Sequence, residues 1–185
     1  MHMAVRLTAT ALKHADYGIN AVAPLIPRLG GDSAPGSVTV YDELADAWLA
    51  LATLPGQEFS SDITYPCALV VSAPSRFDDG NPQYAPEGRF TEGTAGVVVQ
   101  LCVRDRDTAR ASRTLMYLLR AARGTLMHFS DPAHAADRVD AVGGLTLLPP
   151  ISVEQGRAAI KPKGDTVVSA GLVVTYPVLE AAPLP

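Results

Sequence analysis

Gly96–Arg104 (GVVVQLCVR) carries the sharpest alternation in the chain. Val97, Val99, Leu101 and Val103 fall on one side of an extended backbone, and Val98, Gln100, Cys102 and Arg104 on the other. That period of two predicts a half-buried strand. Two further runs predict strands. One is Tyr65–Ala73 (YPCALVVSA), which ends at Pro74. The other is Thr166–Val178 (TVVSAGLVVTYPV), where Val168, Ala170, Leu172, Val174 and Tyr176 alternate with more polar neighbours. Over Asp107–Phe129 the period changes to 3.6. Ala111, Leu115, Leu118, Leu119, Ala122 and Leu126 recur at spacings of three and four, which predicts a helix with one core-facing stripe. Asp105 and Asp107 sit at its N-terminal end, where the helix dipole favours negative charge. Arg106, Arg110, Arg113 and Arg120 fall opposite the stripe, and Gly124 is expected to weaken the last turn.

Weaker patterns complete the outline. Residues 3–28 predict a helix with apolar positions at Val5, Leu7, Leu12, Ile19, Val22, Leu25 and Ile26, interrupted at Gly18 and Pro24 and ended by Pro27. Gly30–Gly36 is a loop by composition, and Ser37–Tyr41 predicts a short strand. Asp42 is placed as the N-cap of a helix over Glu43–Thr53, with Leu44, Ala47, Trp48 and Leu51 on one face. Ala133–Arg138 is short and polar. Val139–Leu148 predicts a strand with an irregularity at its two glycines, and residues 151–165 a connector with a basic tip at Lys161–Gly164. Pro74–Gly93 holds three prolines and three glycines in twenty residues. Such a segment predicts a long flexible loop, a length uncommon in compact domains unless it serves a function.

These elements predict one α+β domain over residues 1–185, built on a mostly antiparallel β-sheet with helices packed on one face. Residues 1–60 supply helical cover, and residues 74–93 the long loop.

Composition narrows the function. Hydrophobic residues are 48% and charged residues 18%, too apolar and too weakly charged for a disordered chain. Fifteen Lys and Arg against nineteen Asp and Glu leave a net charge of −4, which argues against a nucleic-acid binder working by bulk charge. The charge is uneven: residues 1–93 carry 5 basic and 11 acidic side chains, residues 94–185 carry 10 and 8. Cys67 and Cys102 sit in apolar runs and form no C-x-x-C pair, as expected of core residues in a reducing cytoplasm. The N-terminus has no signal pattern, and no apolar stretch reaches the ~18 residues of a membrane span. A soluble protein with no membrane partner is expected.

Candidate chemistry is sparse. His128-x-x-Asp131-x-x-His134 has two imidazoles and a carboxylate, but Pro132 breaks the helix that would align them, so a helix C-terminus and turn are expected. Asp78-Asp79-Gly80-Asn81 lacks the spaced oxygen ligands of a calcium loop. G-x-G-x-x-G, the P-loop and G-x-S-x-G are all absent. The expectation is a protein without catalytic residues, metal or cofactor. The arginines of residues 106–123 read first as a solvated helix face, second as a protein interface and third as a face that contacts nucleic-acid phosphate.

The order of elements adds a resemblance. GTAGVVVQLCVRDRDTARASRTLMYLLRAARGTL, followed by VGGLTLLPP and TVVSAGLVVTYPV, is similar to the tail-terminator and tail-completion (head–tail neck) proteins of long-tailed bacteriophages. A strand runs into an Arg/Asp-rich helix start, and the chain closes on a strand with a final Tyr-Pro. The resemblance covers roughly residues 60–180 and is one of pattern and length. It implies a non-enzymatic virion protein made in the host cytoplasm and assembled as a ring, commonly a hexamer, at the head–tail junction. Its partners would be copies of itself, the tail tube protein and a neck or head-completion protein, with DNA at most passing through the lumen. A small metal-dependent enzyme built on His128, Asp131 and His134, or another binding module, is the alternative.

Within the ring reading, Pro74–Gly93 is the natural reaching element. Phe77, Tyr84 and Phe90 are three of only eleven aromatics in the chain, and aromatics concentrate at interface centres. Arg76, Asp78, Asp79, Glu87 and Arg89 would form rim pairs, and Arg110 and Arg113 complete the candidate interface set.

Overall fold

The computed structural model describes residues 2–27, 36–42, 63–77, 90–140, 144–150, 152–155, 159–161 and 166–181. The chain opens with helix α1 (His2–Lys13), followed by a turn, a short helix α2 (Ile19–Val22) and a 3-10 turn at Ala23–Leu25. Ala4, Val5, Ala9 and Leu12 repeat at helical spacing and are buried. The breaks expected at Gly18 and Pro24 are both present. A Cβ on Gly18 would lie 2.2 Å from the carbonyl oxygen of His14, so only glycine fits this turn. Asn20 of α2 then clips the chain on either side of Val38: its Nδ2 donates to Val38 O at 3.1 Å and its Oδ1 accepts from Val38 N at 2.8 Å.

Strand β1 (Thr39–Asp42) runs parallel to β2 (Cys67–Phe77). Asp42 ends β1, and its Oδ1 accepts from Lys13 Nζ at 3.0 Å. The helix expected over residues 43–53, with Trp48, lies outside the described residues. β3 (Phe90–Asp105) follows, then helix α3 (Thr108–Phe129) and a second 3-10 helix (Pro132–Arg138). β4 (Val139–Asp140), β5 (Leu145–Leu147), β6 (Ser152–Gln155), β7 (Ala159–Lys161) and β8 (Thr166–Ala181) complete the fold. The sheet order is β1-β2-β3-β8-β5-β4, with β6 and β7 also on β8. Every described pairing but β1–β2 is antiparallel. β3 and β8 pair along their whole length, from Phe90 opposite Ala181 to Asp105 opposite Thr166. The fold is α+β, as the patterns predict.

Three expectations need correction. Residues 74–93 are not loop throughout. β2 passes through Pro74 to Phe77, and β3 starts at Phe90, with Arg76 opposite Thr94 and Phe77 opposite Gly93. The physical reason is a bulge: between Ala73 and Arg76 the register advances three residues on β2 for two on β3. A bulge is where a strand tolerates a proline that has no N–H to give. Residues 151–165 are likewise more than a connector, since β6 and β7 pair with β8 there. Val139–Leu148 is a hairpin of β4 and β5 rather than one strand, with Gly144 at φ 64° in its turn.

α1 and α3 cover one face of the sheet. Val97, Val99, Leu101 and Val103 of β3 and Val168, Ala170, Leu172, Val174 and Tyr176 of β8 meet the α3 stripe in one core. All six predicted stripe residues are buried. Phe129 meets Tyr176 edge to face, their ring centroids 6.3 Å apart. Gly124 does not shorten α3. A Cβ there would lie 2.8 Å from Val22 Cγ1, so the glycine lets α2 pack closely. On the opposite face Cys67, Leu69, Val71 and Cys102 form a smaller buried group with Tyr41, Ile63, Tyr65 and Val98.

Candidate interaction surfaces

The structure separates the residues grouped as one interface. Arg76, Phe77 and Phe90 lie at the far end of the β2–β3–β8 ribbon. Asp78, Asp79, Tyr84, Glu87 and Arg89 lie outside the described residues. Arg110 and Arg113 belong to α3, which starts just past the other end of β3. Phe90 begins β3 fifteen residues before Asp105, and Arg76 and Phe77 pair with Thr94 and Gly93, eleven and twelve residues before it, so at ~3.3 Å per residue roughly 35–50 Å of strand lies between them and the α3 end. Within one chain, the described members fall into two separate groups.

At the α3 end the geometry is local. Asp107 is the N-cap: its Oδ1 accepts from Ala109 N at 2.8 Å and Arg110 N at 3.2 Å. Asp105 takes Arg110 in a two-pronged pair, Nε to Oδ2 and Nη2 to Oδ1, both at 2.7 Å. It also accepts from Asp107 N at 2.9 Å. The Arg110 guanidinium, then the backbone N–H, hold the Asp105 carboxyl down at about 2. Arg110 is therefore tied to the start of its own helix.

Beyond that pair, α3 runs from Thr108 to Phe129 without an Asp or Glu. Met116, Arg120, Arg123 and Met127 follow at spacings of four, three and four, so they share the face turned away from the sheet. Arg113 lies on the same side. Met127 is 75% exposed and Met116 49%, unusual for large apolar side chains.

The C-terminal end of α3 holds a cluster absent from the sequence expectations. Tyr17 is buried, and its hydroxyl donates to Asp137 Oδ2 at 2.8 Å. His134 Nδ1 lies 3.2 Å from the same oxygen. His14 stacks on Tyr17 with ring centroids 4.0 Å apart, and His134 and His128 stand 4.4 and 6.5 Å from it. Burial, then the bond to Asp137, push the Tyr17 hydroxyl pKa up. Arg138 is buried beside them. Its Nη1 donates to Phe129 O and, at 3.0 Å, to Asp131 O, placing a cation on the last carbonyl of α3 and on the turn that follows it.

The expected turn after α3 is present, but the grouping of His128, Asp131 and His134 is rearranged. Asp131 Oδ1 accepts from Ala133 N at 2.8 Å and caps the 3-10 helix, so Asp137 is the carboxylate that meets His134. Among the described residues, no three His, Cys, Asp or Glu side chains are placed to hold a metal ion.

Cys67 and Cys102 are cross-strand partners on β2 and β3, both buried and both free thiols. A hydrogen bond to Cys67, then burial, push the Cys102 thiol pKa up, which suits a packed pair rather than a reactive one. No described helix is long and apolar enough to cross a membrane. No family model and no curated protein matches the chain.

Proposed function

We propose that the chain is a structural virion protein that forms a ring at the head–tail junction of a long-tailed phage, where it terminates or completes the tail tube and joins it to the neck. One observation carries this reading: the β3–α3–β8 unit. It spans most of the text in which the resemblance to tail-terminator and tail-completion proteins lies. Two sixteen-residue strands pair from end to end, and one long helix closes a single face of them. A ring subunit needs such a stiff plate to transmit contacts from one neighbour to the next. The β2–β3 ribbon extends the plate past its bulge. Its partners would be copies of itself, the hexamer being the order the resemblance implies, with the tail tube protein on one side and a neck or head-completion protein on the other. DNA would pass through the lumen only, and the chain would catalyse nothing.

Electron microscopy of the purified chain, alone and mixed with tail tubes, tests this. Closed rings, free or capping tube ends, are expected. A chain that neither closes into rings nor binds tubes overturns the proposal.

A further inference from the structure

We infer that the outer face of α3 is a docking seam for an acidic amphipathic helix of a partner protein, one other than a second copy of this chain. The inference stands on the helix itself and does not need the ring reading.

Ala109, Arg113, Met116, Arg120, Arg123 and Met127 recur at spacings of 4, 3, 4, 3 and 4, and all six are exposed. This is a seven-residue repeat, the period at which one helix keeps the same side turned toward a companion helix. At 1.5 Å per residue the seam runs for roughly 27 Å, five turns of α3. A helix of about twenty residues laid alongside follows such a seam over its whole length, and an irregular loop does not.

The seam is partly apolar. Met116 and Met127 stand in it, both exposed. Leu25, 78% exposed, adds a third large apolar side chain beside α3. It belongs to the 3-10 turn that packs on this helix, where the Ala23 carbonyl accepts from the Tyr117 hydroxyl. Among the described residues, the other exposed large apolar side chains are Val139 and Val173. Exposed apolar side chains gathered along one helix mark a binding surface, and methionine adapts to the shape of what it meets.

Charge states what the companion carries. α3 has no Asp or Glu. Arg110 is taken by Asp105, and Arg113 has an interaction of its own, so neither bears on the inference. Arg120 and Arg123 are exposed, and among the described residues neither meets a carboxylate. Two guanidiniums three residues apart on one face favour carboxylates brought from outside. A second copy does not bring them. Laid antiparallel, two such seams set Arg113 against Arg123 and Arg120 against Met116; laid parallel, they set each arginine against itself. A phosphate backbone satisfies the arginines but leaves the methionines and Leu25 without an apolar partner.

Two synthetic peptides of three heptads test this on the full chain, one for each direction of docking. Each places leucine opposite Ala109, Met116 and Met127, and glutamate opposite the three arginines. Fluorescence anisotropy at low ionic strength reads binding. At least one peptide should bind saturably, and a scrambled peptide of the same composition about tenfold more weakly or worse. Arg120→Glu with Arg123→Glu should weaken binding roughly a hundredfold and transfer it to the peptide in which lysine replaces glutamate. Met116→Ser with Met127→Ser should weaken it about tenfold. Far-UV circular dichroism establishes that each variant is folded. Should the charge reversal unfold the chain, Arg120→Gln with Arg123→Gln should weaken binding by a smaller factor.

Binding that depends on both the arginines and the methionines supports the seam, whether or not the chain forms rings. Failure of both peptides to bind overturns it. Equal binding of the scrambled peptide shows bulk charge at work and overturns a helix as the occupant. If the charge reversal abolishes self-association but leaves peptide binding intact, the face belongs to copies of this chain and the inference fails. Tighter binding of mixed-sequence duplex DNA, lost in the same variant, assigns the face to phosphate and also overturns it.

Discussion

The two ends of α3 are secured by different physics. At the start, Asp105, Asp107 and Arg110 lie within six residues of one another and satisfy the first amides by short-range bonds. At the finish, Arg138 returns from nine residues beyond Phe129, and Tyr17 reaches Asp137 across 120 residues of sequence. The first arrangement is solvent-exposed and can form in an isolated helix. The second is buried and exists only once α1, α3 and the 3-10 helix have packed. A cap that forms locally contributes little and acts early. A cap assembled from distant segments contributes more and ties the tertiary structure together.

Four substitutions probe that contrast, from the largest expected loss to the smallest. Phe129 is fully buried against Tyr176 at the C-terminal end, whereas the buried residue of the first turn is Ala111. Phe129→Ala should cost about 3–5 kcal/mol in a denaturant melt. A loss below about 1 kcal/mol would show that this end packs loosely.

Arg138→Met keeps an apolar chain of similar length but removes the donor from the buried Phe129 O and the part-buried Asp131 O. It should cost about 1.5–3 kcal/mol, the range for hydrogen bonds made by a charged group. If stability does not change, water already reaches Phe129 O and the corner is open.

At the other end, Asp107→Ala should cost about 1 kcal/mol, and Asp107→Asn close to nothing because its side-chain oxygen still caps. Equal losses in the two variants would mean that charge, not capping, is what matters there.

Arg110→Ala should cost under about 1 kcal/mol, since the pair is exposed. Its clearer readout is titration. The Asp105 carboxyl is depressed to about 2 in the folded chain, so its contribution is complete above the ordinary value of ~3.9 and is lost as pH falls through about 2. Without Arg110, carbon-13 NMR should show Asp105 titrating closer to ~3.9. An unmoved midpoint would assign the depression to the Asp107 amide instead.

The same contrast explains what was legible beforehand. The α3 stripe and the alternation of β3 and β8 are local periodic signals, and Leu115, Leu119, Val99 and Leu172 are buried as their spacing predicts. Asp107 was legible as a favourable helix start for the same reason. The strands of residues 151–165 were not. β6 and β7 have four and three residues, too short to display a period, and pairing with β8 makes them strands. Pro74 read as a stop because a proline ordinarily ends a ladder, yet a single bulge absorbs it. The Tyr17 corner had no local signature at all. His14 and Tyr17 are unremarkable in sequence, and Asp131 and Asp137 stand three residues on either side of His134, so spacing alone does not show that Asp131 is taken up as a cap and Asp137 is the one that meets the imidazole. The separation of Phe90 from Arg110 was not legible either: the start of β3 lies in the segment that reads as loop, so nothing in the sequence shows that the strand is long enough to carry them to its opposite ends.

The sharing of β8's second edge among three short strands has a consequence for solubility. β5, β6 and β7 lie along it in succession, with a break between each and the next, and β4 covers β5 in turn. A sixteen-residue apolar strand left at a border would be a template for any passing chain, the usual seed of aggregation. Here that strand is interior, and on this side the described border is short, interrupted and marked by exposed Glu154 and Gln155. A chain built this way can accumulate to high concentration without β-strands from neighbouring copies adding along this border.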